Sequence, residues 1–362
     1  MSRIGIDLTA CWRPRVGMVS AAMGLARGLM ELRPATDFTV FSSRTRPVGL
    51  PAGARAILSP HRHEIANKLA WMPFVESGAG VDTILYPYWP SPPLRVRRAP
   101  PAVMFVHDLA FKVRPKEVPW QQRLYLGTLL PRALQQAAAV LVPSEATRRD
   151  LLEQYPLPGL QTLITVVGEG PSELGDQVGA LPDGLEAGFL LVVGTIEPRK
   201  NYPRLLDAYS SLRASRASTP PLVVVGREGW AYGEALVRLR SAPGVVLLGH
   251  VDDPTLLALY RSAAALVFVS LYEGFGLPLL DAMALGVPAL IGGRGSLPEL
   301  GGGAALEVDP ESREEIAAAM GRLLDDAGLR TSLIQAGRAR AEAFSWRLTA
   351  ERTLAVLESI VR

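Results

Sequence analysis

Along the chain, short apolar and β-branched runs alternate with longer stretches of helical period. That alternation predicts parallel sheets joined by crossover helices. In the first half, strands are expected at Arg3–Leu8, Phe38–Ser42, Ala56–Leu58, Thr83–Tyr86, Val103–Val106, Ala139–Val142 and Leu163–Val167. Helical spacing covers 20–32, 120–136 and 144–155. A second series of strands runs through Phe189–Val193, Leu222–Val225, Val245–Leu248, Leu266–Val269 and Ala289–Ile291, with helices between them. From Glu311 onward the pattern is helical almost to the end, broken near Gly328 and Ser345. The stretch 168–187 between the two series is rich in glycine, proline and acids and has no strong period, which suits a linker. The expected organisation is therefore a domain at 1–170, a linker at 171–187, a second domain at 188–345 and a final helix at 346–362. Two doubly wound α/β domains bind ligands at the carboxyl ends of their strands, here in a cleft between the domains.

Composition narrows this picture. The 362 residues suit two domains of about 100–200 residues each. With 48% apolar and 20% charged residues the chain is not a disordered one. The single cysteine, Cys11, excludes an internal disulfide framework and any multi-cysteine metal site. The first residues reach Asp7 before an apolar core can form, so no secretory leader is expected. The longest near-apolar run, 263–272, is about half of the roughly 20 residues a membrane helix needs. A cytoplasmic, reducing location is the expectation. The net charge of +3 hides an asymmetry: residues 1–180 carry 20 basic and 14 acidic side chains, the remainder 18 and 21. A basic first half suits phosphates or an anionic membrane face, and equally a solvated surface rich in arginine. The arginines are scattered with no dense basic run among aromatics, so nucleic acid is not an expected partner.

Four segments at predicted strand ends carry side chains suited to chemistry. The first, 270–283, follows an apolar strand and opens a helix, with Pro278 in the first turn, where its missing N–H costs nothing. Gly274 and Gly276 let the backbone approach a ligand, and the amides of the helix start favour an anion or a hydroxyl. Glu273 and Asp281 flank this turn, and carboxylates beside backbone amides suit the vicinal hydroxyls of a sugar. The same acids also read as a helix cap and a helix-dipole acid. The second segment is Val193 through Asn201, where adjacent Arg199 and Lys200 precede a helix. Such a pair suits a diphosphate whose charge grows as it leaves, unless it is simply solvated beside Glu197. In the third, His107 can donate to a substrate hydroxyl or exchange a proton, with Asp108 setting its tautomer or binding separately. A structural pair at a strand end is the alternative. The fourth is the predicted loop Val16–Ser20, with the single glycine Gly17 before a helix. No G-x-G-x-x-G and no Walker lysine pattern occurs, which argues against dinucleotide oxidoreductases and P-loop enzymes. His61 and His63 lack a third ligand, and no Asp-x-Asp ends a strand, so no metal site is expected. Asp252 and Asp253 read as caps of a helix beginning near Pro254.

Taken in order, Ile4–Asp7, HDLAF at 107–111, VPSEATRRDLL at 142–152, GTIEPRKN at 194–201, LGHV at 248–251, YEGFGLP at 272–278, SLPE at 296–299 and FSW at 344–346 resemble glycosyltransferase family 4, and within it the bacterial mannosyltransferase-like branch. The resemblance runs nearly end to end. It implies the GT-B fold, with two Rossmann-like domains facing a cleft and a final helix, from about Trp346, crossing back onto the first domain. It implies transfer of a hexose, with mannose favoured, from a nucleoside-diphosphate sugar to an acceptor hydroxyl, with retention at the anomeric carbon. GDP-mannose is the favoured co-substrate and no further cofactor is required. Arg199 and Lys200 would bind the donor diphosphate, and Glu273 with the amides of Gly274, Phe275, Gly276 and Leu277 would hold the sugar. His107 would sit beside the transferred sugar, Asp281 would take the ribose hydroxyls, and the backbone near His250 and Val251 would line the base. Gly17 and Thr195 complete the donor-side set; Met18 and Asp108 fall on the acceptor side.

Two departures from the family pattern stand out. Asp281 replaces the usual glutamate, one methylene shorter. The first loop keeps one glycine of the usual Thr-Gly-Ile-Gly and lacks the basic and aromatic residues that follow it. The implied course is front-face attack by the acceptor hydroxyl as the nucleoside diphosphate leaves, its phosphate serving as base. The acceptor would be a glycan, a lipid-linked molecule or a small molecule in glycan, polysaccharide or glycoconjugate synthesis, and association with the inner face of a membrane is compatible with the basic first half. A nucleotide-sugar epimerase on the same scaffold, a two-lobed sugar-binding protein and a non-catalytic subunit that binds sugar nucleotides are the competing readings.

Overall fold

The computed structural model describes residues 3–11, 17–61, 64–88, 90–230 and 233–361. Val16 and His63, both considered above, lie outside the described residues. By contacts the chain divides into two units: residues 1–113, 120–172 and 344–362, and residues 114–119 with 173–343.

The first unit is built on seven strands: β1 (Ile4–Asp7), β2 (Phe38–Ser43), β3 (Arg55–Ser59), β4 (Thr83–Tyr86), β5 (Ala102–Phe105), β6 (Ala137–Val142) and β7 (Ile164–Val166). They lie in the order β3-β2-β1-β4-β5-β6-β7, and every pair is parallel. The central runs IGID, TILY and AVMF are buried at every position, as strands covered by helices on both faces must be. The helix Gly17–Leu32 covers one face, and the final helix Trp346–Val361 packs along it. Gly24 allows this approach, because a Cβ there would run into the Trp346 indole. The indole N–H donates to the Pro171 carbonyl at 2.9 Å and Arg352 to the Val167 carbonyl at 3.1 Å, which fastens the end of the chain to this unit.

The second unit holds β8 (Leu190–Val193), β9 (Leu222–Val225), β10 (Val245–Gly249), β11 (Ala265–Phe268), β12 (Ala289–Gly292) and β13 (Leu306–Val308). Their order is β10-β9-β8-β11-β12-β13, again parallel throughout. In both sheets the winding reverses direction beside the first strand, between β1 and β4 and between β8 and β11. Loops leaving the carboxyl ends of two such neighbours diverge to opposite faces and leave a crevice for a ligand. Both units are doubly wound Rossmann-like domains.

The structure departs from the sequence reading in five places. Residues 17–20, expected as loop, already belong to the helix that starts at Gly17. The strand β13 carried no signal, since three residues at a sheet edge are too few to show a period. Residues 64–78 form a helix with a π-turn at Asn67–Trp71, which shifts the buried face partway along and blurs the 3.6 period. The break expected near Gly328 falls instead at Asp326, which caps the helix Ala327–Ala341 through its carboxylate. Residues 173–187, read as linker, cluster with the second unit, where the Gly179 and Gly188 amides donate to the Pro254 and Ser262 carbonyls at 2.9 and 2.7 Å.

Candidate functional site

The crevice of the second sheet is bordered by the loop after β8, which carries Gly194 to Lys200, and the loop after β11, which carries Ser270 to Gly276. Their backbones are joined where the Leu271 amide donates to the Arg199 carbonyl at 2.7 Å. Arg199 and Lys200 lie on the single 3₁₀ turn Pro198–Lys200. The Arg199 guanidinium donates to one carboxylate oxygen of Glu273 at 2.5 Å and to the Tyr272 carbonyl at 3.2 Å, and its Nε pairs with Glu197. The Lys200 ammonium donates to the other Glu273 oxygen at 2.5 Å and stands 4.6 Å from the centroid of the Phe268 ring. Arg199 and Lys200, adjacent in the chain, thus form one cluster with Glu273, more than seventy positions further on.

The cluster is asymmetric in charge. Burial alone would raise the Glu273 carboxyl, but Arg199 and Lys200 hold it down at about 2. Lys200 goes the other way: burial lowers it below the usual lysine range, and the attraction of Glu273 does not fully offset burial and the neighbouring guanidinium. Glu273 is therefore stabilised in its charged form, while burial and Arg199 leave the charged form of Lys200 less favoured despite Glu273 and Glu197. An incoming polyanion would remedy the second condition and release the Glu273 carboxylate to other hydrogen bonds.

Two residues without an assigned role in the sequence reading hold these loops. Asn201 sits at φ 63°, and its side-chain amide donates to the Val269 carbonyl at 3.1 Å and the Pro310 carbonyl at 2.6 Å. This ties the start of the helix Tyr202–Ala214 to the end of β11. The Ser296 hydroxyl lies 3.0 Å from the Glu273 carbonyl and 2.7 Å from that of Phe275, so it pins the glycine loop from behind. Gly276, at φ 115°, is the cap of the helix Leu277–Leu285, and a Cβ there would come within 2.7 Å of Leu297. Glu197 is the third addition: read above only as a neighbour of the basic pair, it is buried and orients the guanidinium. No local pattern separates a buried glutamate of this kind from a solvated one.

The remaining donor-side candidates are more spread out. Gly274, Phe275 and Gly276 are buried in the loop, and Leu277 begins its helix. Asp281 is buried one turn into that helix, where its charge, after burial, raises the Tyr260 phenol well above the usual range. Thr195 is half-buried on the loop after β8; His250 is exposed and Val251 half-buried just past β10. A recess of about 410 Å³ opens between the ends of β9 and β10, lined by Ile196, Gly226, Glu228, Leu247 and Gly249.

In the first unit, His107 follows β5 and is buried. Asp108 does not set its tautomer: that carboxylate accepts from the Ala110 amide at 3.0 Å and caps the turn that follows. The partner of His107 is Glu169, whose Oε1 lies 3.0 Å from Nδ1, while Nε2 meets the Pro87 carbonyl at 2.8 Å. Glu169 sits in the stretch 168–187 that looked like linker, and nothing in its surroundings marked it. Gly17 is exposed and Met18 half-buried in the first turn of their helix.

Two doubly wound parallel-sheet domains define the GT-B class, here with a part-buried Arg-Lys-Glu cluster at the crevice of the second. The family model for glycosyl transferases group 1 matches residues 181–340, and that for glycosyltransferase family 4 matches residues 17–170. O-antigen chain mannosyltransferase B of Escherichia coli is 31% identical over 272 residues, which is 72% of this chain and 70% of that protein. The chain belongs to the group 1/family 4 glycosyltransferases. Among solved structures, sucrose-phosphate synthase from Thermosynechococcus elongatus matches over 99% of both chains with a TM-score of 0.77 at 20% identity. The Anabaena protein HepE, solved in complex with UDP and glucose, matches over 99% of this chain and 100% of its own with a TM-score of 0.71 at 17% identity. Those two likenesses speak to the fold.

Proposed function

We propose that the protein is a retaining mannosyltransferase that uses GDP-mannose and an acceptor hydroxyl of a growing glycan or glycoconjugate. The observation that carries this reading is the Arg199-Lys200-Glu273 cluster at the crevice of the second sheet, in a chain similar to an O-antigen mannosyltransferase. The donor diphosphate takes the guanidinium of Arg199 and the ammonium of Lys200, and Glu273 turns to the sugar hydroxyls. The amides of Gly274 to Leu277 hold the sugar from the loop side. Asp281 accepts from the ribose, directly or through a water, since its side chain is one methylene shorter than glutamate. The base enters the recess between β9 and β10, whose lining reaches Gly249, the residue before His250 and Val251.

In the reaction the acceptor oxygen bonds to the anomeric carbon on the face from which the diphosphate departs. The C–O bond to the phosphate breaks, and the hydroxyl proton passes to a phosphate oxygen. Arg199 and Lys200 are fixed cations beside the oxygens that gain charge, so they stabilise the transition state more than the bound donor. His107 and Asp108 belong to the first unit, with Gly17 and Met18, and are assigned to the sugar and acceptor side. The protein acts in the cytoplasm on a glycan, lipid-linked or small-molecule acceptor.

The decisive test is a calorimetric screen of GDP-, UDP-, dTDP- and ADP-sugars. Binding confined to GDP-mannose is expected, and binding confined to a UDP-sugar would overturn the donor assignment. Turnover should require an acceptor, whereas an epimerase would convert the donor alone. The anomeric configuration of the product by NMR then decides retention.

A further inference from the structure

His107 stacks on Phe105 with ring centroids 4.4 Å apart and is closed in from both edges. Its Nε2 lies 2.8 Å from the Pro87 carbonyl, and its Nδ1 lies 3.0 Å from the Glu169 carboxylate. A carbonyl oxygen has only lone pairs to offer, so Nε2 must carry a hydrogen. An ionised carboxylate likewise only accepts, so Nδ1 carries one as well. A ring with hydrogen on both nitrogens is an imidazolium. The hydrogen bond and the negative charge of Glu169 favour the proton on the ring.

We infer that Glu169 is a positioning residue that holds His107 as a buried imidazolium, so that His107 serves the transfer as a fixed cation and not as its base. With both nitrogens protonated and hydrogen-bonded, the ring has no lone pair with which to take the proton of an acceptor hydroxyl. Charged groups that act on the ring include Glu169, from the loop after β7, and Asp108, beside it in the chain. Uncharged groups around it include Phe105 of β5, Pro87 after β4, and Thr147 of the helix Glu145–Gln154, whose hydroxyl donates to the His107 carbonyl at 3.5 Å. Burial alone would lower the imidazole, yet the hydrogen bond and charge of Glu169 leave it above its usual value. The consequence for catalysis rests on the transferase reading above: the proton leaves by way of the departing phosphate.

The test begins on the unliganded wild-type protein, so it stands or falls separately from donor binding. In long-range proton–nitrogen spectra of ¹⁵N-histidine-labelled protein, both His107 nitrogens are expected at imidazolium positions at pH 7. Titration is expected above the free-peptide value of about 6.5. Glu169→Gln should move that titration down by about one pH unit or more, and Glu169→Asp should restore part of the shift. A neutral ring at pH 7 with hydrogen only on Nε2 would overturn the inference. So would a titration that Glu169→Gln leaves in place. In transfer assays the rate should fall on the alkaline side as His107 loses its proton, and that limb should move to lower pH in Glu169→Gln. A rate that instead rises with deprotonation of His107 would mark it as the base.

Discussion

At the end of β1, Asp7 meets Lys68 one to one; at the end of β11, Glu273 is shared between two cations. In the first unit both partners are almost completely buried, at 1% side-chain exposure each. The second Asp7 oxygen accepts from the Thr9 amide at 3.0 Å and the Thr9 hydroxyl at 2.7 Å, and the Lys68 ammonium sits 4.6 Å above the Tyr86 ring. Around this pair Asn67, Ser43 and Ser59 bond to one another and to the Thr9 carbonyl. Donors and acceptors answer each other in a closed network, which fixes the chain and leaves nothing to offer a ligand. In the second unit Arg199 and Lys200 share the Glu273 carboxylate, with Glu197 on the far side of the guanidinium, and Lys200 is left below the usual lysine range. A matched buried pair is architecture. A shared one at a crevice is the place where the proposed function puts the donor diphosphate.

The contrast breaks most sharply at the two lysines. Lys68→Ala should cost about 3–5 kcal/mol in urea unfolding, because Asp7 would be left buried without its counter-charge. Lys200→Ala should leave the unfolding midpoint close to wild type, since removing an undercompensated buried ammonium relieves a cost. Its transfer rate should fall by about 100- to 1,000-fold, the usual effect of removing one donor to a developing negative charge. Unchanged turnover in that variant would remove Lys200 from the diphosphate site.

Acid offers the next comparison. The Glu273 carboxyl is held at about 2 against an unfolded value near 4.5, so it contributes stability above the unfolded value and loses it as the pH falls toward 2. The contribution is on the order of 3 kcal/mol. Urea unfolding of wild type and Glu273→Gln between pH 6 and pH 2 should converge toward the acid end; curves that stay parallel would refute the assignment.

Smaller effects sharpen the picture of the glycine loop. Ser296→Ala leaves the Glu273 and Phe275 carbonyls without their hydroxyl partner, at a cost of about 1–3 kcal/mol, and should weaken donor binding in calorimetry. Asp281→Glu should preserve or improve donor binding, because it restores the longer reach toward the ribose. A collapse in affinity would show that the buried site has closed around the shorter acid.

Much of this arrangement was legible in the residues. The alternation of runs placed twelve of the thirteen strands found among the described residues, because fully buried parallel strands read as continuous apolar segments. The basic pair and the Glu-Gly-Phe-Gly turn stood out because both sit where a strand ends and a helix begins. The partners of these groups did not stand out. Glu169 lay in a glycine-rich stretch, Ser296 in a short turn and Asn201 just behind the basic pair, and each acts on residues far off in sequence. Asp108, adjacent to His107, was the natural local partner and is not the one the fold selects.

By itself, then, the sequence determined which elements form and which side chains stand at their carboxyl ends, because period, capping and turn chemistry are local. Only the tertiary structure decided which charge meets which: Lys68 with Asp7, Glu169 with His107, and two cations with Glu273. Burial strengthens electrostatics where strand order brings distant loops together, and strand order is written in packing between residues that no local pattern connects.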